Sequence, residues 1–183
     1  MIELKSLEVL NVTDEQGMKT VGGNQYWYPR NAKRACGATT ASNILTYVYK
    51  MGPRSKEEHL DFMKKVYMYF TPGIFGLWLS GFLKGIGKFA KEQEIPVSSN
   101  HTKAPSLGFI RASLEADTPV ALLVLTAGGV ANLYNWHWVT IIGLDEENKR
   151  VKILDNTRIS WVEFGDWLER SLLRGALVSI CLS

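Results

Sequence analysis

Apolar positions along this chain change their spacing near its middle. From Cys36 to Met51 they recur at Ala38, Ala41, Ile44, Leu45, Val48 and Met51, steps of three and four that predict a helix. Gly52 and Pro53 then end it in the order that helix ends favour. Ser55-Lys-Glu-Glu58 has the form of a capping box, with Ser55 as N-cap and Glu58 three residues on. It opens a second helix that runs to about Phe70. A third is expected from Trp78 to about Gln93, before Pro96 stops it. Ahead of these, a short strand around Leu7 to Val12 precedes a loop ending in Gly22-Gly23.

Beyond Pro105 the pattern alters. Ser106 to Ala116 still reads as a helix, but three apolar runs follow at 119–126, 137–144 and 151–154. Their Val, Ile, Leu and Thr content predicts strands, and the polar turn from Asp145 to Lys149 predicts a hairpin between the last two. Trp161 to Leu172 reads as a short strand followed by an amphipathic helix, and Ala176 to Leu182 as a final strand. The expected fold class is α+β. We expect one domain over 1–183, its half from about 25 to 105 mainly helical and its half from about 106 to 183 mainly antiparallel sheet.

Two stretches lack charge. Thr118 to Leu144 contains no Asp, Glu, Lys or Arg, yet Gly128-Gly129 and the polar Asn132, Asn135 and His137 interrupt it. Two buried strands fit this better than a membrane span, which needs about 20 apolar residues in succession. Tyr67 to Phe82 is broken by Pro72, Gly73, Gly76 and Gly81, and reads as a buried helix pair or a loop lining a groove. The N-terminus carries Glu3, Lys5 and Glu8 and has no apolar signal core, so a cytoplasmic location without a membrane partner is expected.

Composition narrows the chemistry. The 183 residues are 46% hydrophobic and 21% charged, ordinary for a globular chain. A net charge of +3 with no dense Lys/Arg run argues against a nucleic-acid partner. Cys36 and Cys181 stand far apart with no C-x-x-C, which excludes a zinc cluster or a disulfide scaffold. No metal or cofactor is expected.

Cys36 is the sharpest residue. A turn-rich segment leads into it and a helix begins there, so the positive end of the helix dipole would stabilise a thiolate. Gly37 would leave room for a substrate backbone. A buried structural cysteine suits the same position. Of three histidines, His59 sits in a charged helix and is expected in solvent, and His101 sits in a polar loop. His137 opens an apolar strand between Trp136 and Trp138; alternation sends the two indoles to one face and the imidazole to the other. It is a candidate general acid/base, or a satisfied core histidine. If the hairpin forms, Asp155 at the end of VKIL returns to His137, where a carboxylate would fix the tautomer. An Asx turn is the alternative for Asp155, and Asn156 would face the other way. Gln25, upstream of Cys36, offers an amide to a developing oxyanion together with the Cys36 backbone N–H.

In order, Gln25, Cys36-Gly-Ala-Thr39, His137-Trp-Val-Thr-Ile-Ile-Gly143 and Val151-Lys-Ile-Leu-Asp155 resemble the papain-like cysteine peptidases, in particular the branch of bacterial bacteriocin-processing (double-glycine) peptidases. The resemblance covers most of the chain from Gly22 onward. It implies a helical half packed on an antiparallel sheet, a peptide or protein substrate, Cys36 as nucleophile, His137 as general acid/base, Asp155 as orienting residue and Gln25 as oxyanion donor. The chain departs from that pattern at Asp155-Asn156, where Asp-Pro is frequent, and in a longer Gln-to-Cys spacing. No transporter or ATPase pattern accompanies it, so a double-glycine leader substrate is not implied. An acyl transferase or transglutaminase-like enzyme has the same residue order, and a non-catalytic binding module would retain the same fold.

Overall fold

In the computed structural model, which describes residues 1–28, 32–73, 76–125, 130, 133, 135–169 and 175–182, the chain begins with β1 (Ile2–Glu3), a 3-10 turn at Leu7–Leu10 and the short strands β2 (Asn11–Thr13) and β3 (Lys19–Val21). The strand expected from Leu7 is therefore delayed to Asn11. Val9 and Leu10 are both buried, and a strand would send these neighbours to opposite faces, whereas a tight turn brings both inward. Helix α1 (Cys36–Val48) follows, then β4 (Arg54–Ser55) and α2 (Lys56–Tyr67). The left-handed backbone of Lys50, φ +51°, ends α1 before Met51. The Ser55 capping box forms: Glu58 N–H donates to Ser55 Oγ, and Glu58 accepts from Ser55 N–H. Next come α3 (Leu79–Glu92), β5 (Val97–Thr102) and α4 (Leu107–Glu115), the last capped by Ser106 Oγ accepting from Phe109 N–H. The chain closes with β6 (Val120–Val124), β7 (His137–Asp145), β8 (Arg150–Asp155), β9 (Arg158–Glu163), α5 (Gly165–Glu169) and β10 (Gly175–Leu182).

The main sheet has seven strands among the described residues, in the order β5-β10-β6-β7-β8-β9, with β1 beside the far end of β7. Every pairing in it is antiparallel. The uncharged run from Thr118 to Leu144 thus supplies two neighbouring strands, β6 and β7; Gly128-Gly129 lies outside the described residues. No helix among the described residues is long and apolar enough to cross a membrane. Strand β5 has no counterpart in the periodicity. Its residues Val97-Ser-Ser-Asn-His-Thr102 are polar because it is an edge strand with most side chains exposed, and its ladder to β10 makes it a strand. His101, expected in a loop, lies on this edge.

Alternation along the strands divides the core. Leu123, Trp138 and Val178 pack on one face with Ala38, Ala41 and Leu45 of α1 and Phe82, Ile86 and Phe89 of α3. Their neighbours Leu122, Val139 and Leu177 pack on the other with Ile110 and Leu114 of α4. All residues of α1 from Cys36 to Tyr47 are buried. A helix buried all round must use small side chains, and the run Gly37-Ala-Thr-Thr-Ala-Ser42 provides them. His59, expected in solvent, is 1% exposed. On α2 it forms the inward stripe with Met63 and Val66, four and seven residues on.

Candidate active site

Three chain segments converge at the N-terminus of α1. The first is α1 itself, which starts at Cys36 without a side-chain cap. The second is the β7–β8 hairpin. Its register pairs Thr140 with Leu154 and Ile141 with Ile153, so His137 at the start of β7 and Asp155 at the end of β8 finish at one end of the sheet. The third is a 3-10 turn at Gln25–Trp27, capped by the Asn24 side chain, which accepts from Tyr26 N–H.

Backbone tethers hold that third segment. Gly22, at φ +66°, donates to the Leu10 carbonyl at 2.7 Å. A side chain at Gly22 would meet Leu154 and Asn43 within 3 Å, so glycine is required there on both counts. Gly23 N–H donates to Asn43 Oδ1 of α1 at 2.8 Å. Gln25 N–H donates to Asn156 Oδ1 at 2.9 Å. An asparagine inside an uncharged, buried helix signals Asn43 in the sequence; nothing in the composition indicates its partner.

His137 Nε2 lies 2.9 Å from Asp155 Oδ1. The imidazole also makes a side-chain hydrogen bond with the Cys36 thiol. Burial pushes the His137 pKa down, but the hydrogen bonds to Asp155 and Cys36 and the charges on both outweigh it, raising it from 6.5 to about 9. The imidazolium is therefore the favoured form at neutral pH. Cys36, His137 and Gln25 are each only 6% exposed. Gln25, Cys36, Asp155 and Asn156 line a cavity of about 10 Å³, the threshold for a single water or one oxygen atom.

Asn156 does not face away as expected. The two-residue turn between β8 and β9 puts Asn156 at φ +48° and Thr157 at φ +69°, the left-handed pair of a type I′ hairpin. This turns the Asn156 side chain back into the site, where its Nδ2 donates to Asp155 Oδ1 at 2.9 Å. The sequence signal was an asparagine, the residue most tolerant of φ > 0 after glycine, between two strand patterns. Gly37 also differs from expectation. A Cβ there would meet Leu77 Cδ2 at 2.6 Å and Trp138 Cδ1 at 3.2 Å, so the glycine admits Leu77 instead of a substrate.

Both tryptophans beside His137 meet rings at the start of α3, although Trp136 lies in a turn at φ +59° ahead of β7, where strand alternation does not apply. Trp138 stacks on Phe82 at 4.2 Å and donates to the Leu77 carbonyl at 2.7 Å. Trp136 meets Trp78 edge to face at 4.8 Å. Trp78 and Phe82 lie one helical turn apart at the start of α3, so α3 anchors the His137 end of β7. From Trp78 a groove of about 640 Å³ runs between Leu79, Leu83, Leu123 and Leu125, with His101 and Lys103 at its edge. Among the described residues no group of three or more His, Cys, Asp or Glu side chains could hold a metal ion.

No protein-family model matches the chain, and neither does any curated protein. Solved structures do. The peptidase domain of Streptococcus ComA, a bifunctional ABC transporter of a quorum-sensing pathway, superposes with a TM-score of 0.52 at 11% identity, over 82% of this chain and 93% of that one. A double-glycine motif protease from an AMS/PCAT transporter, solved with its leader peptide, superposes with a TM-score of 0.50 at 12% identity, over 81% and 84%. Among the described residues, five α-helices on an antiparallel sheet in this order give the chain the papain-like cysteine peptidase fold that these domains share.

Proposed function

We propose that the protein is a thiol-dependent hydrolase that cleaves a peptide bond. Cys36 Sγ attacks the carbonyl carbon, and the oxyanion is met by the Cys36 backbone N–H and the Gln25 amide in the small cavity beside them. The His137 imidazolium gives its proton to the leaving amine as the C–N bond breaks. The neutral ring then takes a proton from water, whose oxygen attacks the thioester and releases the acid. Asp155 holds the ring through Nε2, so that the opposite nitrogen faces the thiol. The observation that carries this reading is the placement of one imidazole in hydrogen-bonding reach of both a thiol at a helix N-terminus and a carboxylate.

A peptide substrate is supported by the shared fold, one example of which holds a leader peptide. The groove beside Trp78 would take an apolar side chain of that peptide. It begins at the residue that packs on Trp136, next to His137, and its volume is that of a small-ligand site. Cysteines that stand as free thiols fit the cytoplasmic placement.

Iodoacetamide tests the thiol directly. At pH 6 Cys36 should alkylate faster in wild type than in His137→Ala by roughly tenfold or more, with a smaller loss in Asp155→Ala. Equal rates in wild type and His137→Ala from pH 5 to 8 would remove the thiolate–imidazolium pair and with it the enzyme reading, leaving a binding module. Peptide products formed with and without an added amine then separate hydrolysis from acyl transfer.

A further inference from the structure

We propose that Asn156 is a positioning residue that ties the orienting carboxylate and the oxyanion segment to each other; this rests on the peptidase reading above. Its side-chain amide is used at both ends. Nδ2 donates to Asp155 Oδ1 at 2.9 Å, the same oxygen that lies 2.9 Å from His137 Nε2. Oδ1 accepts from Gln25 N–H at 2.9 Å. A backbone N–H only donates and a carboxylate oxygen accepts, so the partners fix which end of the amide is which. The backbone takes part as well: the Asn156 carbonyl accepts from Asn24 Nδ2 at 3.5 Å and from Thr157 Oγ1.

The consequences are geometric. A carboxylate on the last residue of a strand is free to rotate; the Nδ2 bond fixes the rotamer that aims Oδ1 at the imidazole. The Oδ1 bond fixes the start of the turn carrying Gln25, on the far side of Cys36. The Asn24 side chain also links the two turns, accepting from Tyr26 N–H and donating to the Asn156 carbonyl, whereas the Asn156 amide links the Gln25 backbone to the Asp155 carboxylate itself. Alanine would lose both bonds and also sit badly at φ +48°, so Asn156→Gly is the informative change: it keeps the turn and removes only the amide. Asn156→Asp keeps an acceptor for Gln25 N–H and loses the donor to Asp155.

The experiment measures Cys36 alkylation by iodoacetamide against pH on the full chain, with peptide mapping to separate Cys36 from Cys181. Thermal melts check folding, and hydrogen exchange reads the Gln25 amide. In wild type the alkylation profile should show an upper inflection where His137 gives up its proton. Asn156→Gly should lower that inflection by about half to one pH unit and remove the protection of the Gln25 amide. Asn156→Asp should retain that protection. A merely structural role would lower the melting temperature and leave the inflection where it was. An Asn156→Gly profile superimposable on wild type, or a Gln25 amide equally protected in Asn156→Gly, overturns the inference. If wild type itself matches His137→Ala, the peptidase reading has failed instead, and the two failures are distinguishable.

Discussion

Gln25 and His137 act on different atoms of the proposed reaction, which makes them separable by experiment. Alkylation by iodoacetamide develops no oxyanion, so it responds to the thiolate alone. Amide hydrolysis needs both the thiolate and the oxyanion site. Gln25→Ala should therefore lower kcat on a cleaved peptide by about 100-fold and leave the Cys36 alkylation profile unchanged. A Gln25→Ala enzyme with unaltered kcat would take Gln25 out of the chemistry. At this scale the sequence was informative where a residue's place follows from local pattern. Cys36 opens a periodic helix, His137 opens an apolar run, and a short polar turn folds Asp155 back beside it. Asn156 turns inward through a left-handed backbone, which an asparagine between two strands permits but the strand period does not announce. His59 reads as solvent-exposed because the charges of KEEHLDFMKK hide the stripe His59, Met63, Val66, although that spacing is in the sequence.

Helix packing explains which glycines matter, and two of them give opposite expectations. Gly37, in the first turn of α1, is pressed against Leu77 and Trp138. Gly37→Ala must displace Leu77, the residue whose carbonyl holds the Trp138 indole, and should cost about 1–3 kcal/mol, the usual penalty of overpacking. Gly87 lies on the exposed face of α3 with no atom within 4 Å of a Cβ built there. Gly87→Ala should raise stability by about 0.5–1 kcal/mol through helix propensity alone. Urea unfolding of both variants checks the pair, and a neutral Gly37→Ala would show that Leu77 moves freely. The groove makes a further prediction at this level. Trp78 is 44% exposed and meets Trp136 edge to face, so Trp78→Ala should raise KM for peptides with a bulky apolar side chain more than it lowers kcat. A drop in kcat alone would mean that Trp78 supports the His137 loop and does not touch substrate. Elements were legible wherever an apolar face existed. β5 was not, since its side chains are mostly polar and exposed and the ladder to β10 makes it a strand.

The two buried histidines tilt the stability of the whole molecule with pH, with opposite signs. His59 lies near Met63 and meets the Trp27 ring at right angles, and its Nε2 is buried without a hydrogen-bond partner among the described residues. Burial, assisted by the positive charge of Arg54, lowers its pKa from 6.5 to about 4. The unfolded chain therefore binds a proton that the folded chain refuses between these values. Stability is unaffected above pH 6.5 and declines as pH falls toward 4, by about 3 kcal/mol in all. His137 is the reverse case, with a folded pKa raised to about 9. Its contribution is complete below pH 6.5 and is lost as pH rises through 9. These two groups alone place the maximum near pH 6.5. Urea midpoints followed by tryptophan fluorescence from pH 4 to 9 should give a curve falling on both sides. His59→Leu should flatten the acid side between 4 and 6.5 and leave the alkaline side intact. His137→Gln should flatten the alkaline side and leave the acid side intact. An acid limb unchanged in His59→Leu would mean that other groups set it, and that the orphaned imidazole beneath Trp27 is relieved by local opening before the molecule unfolds.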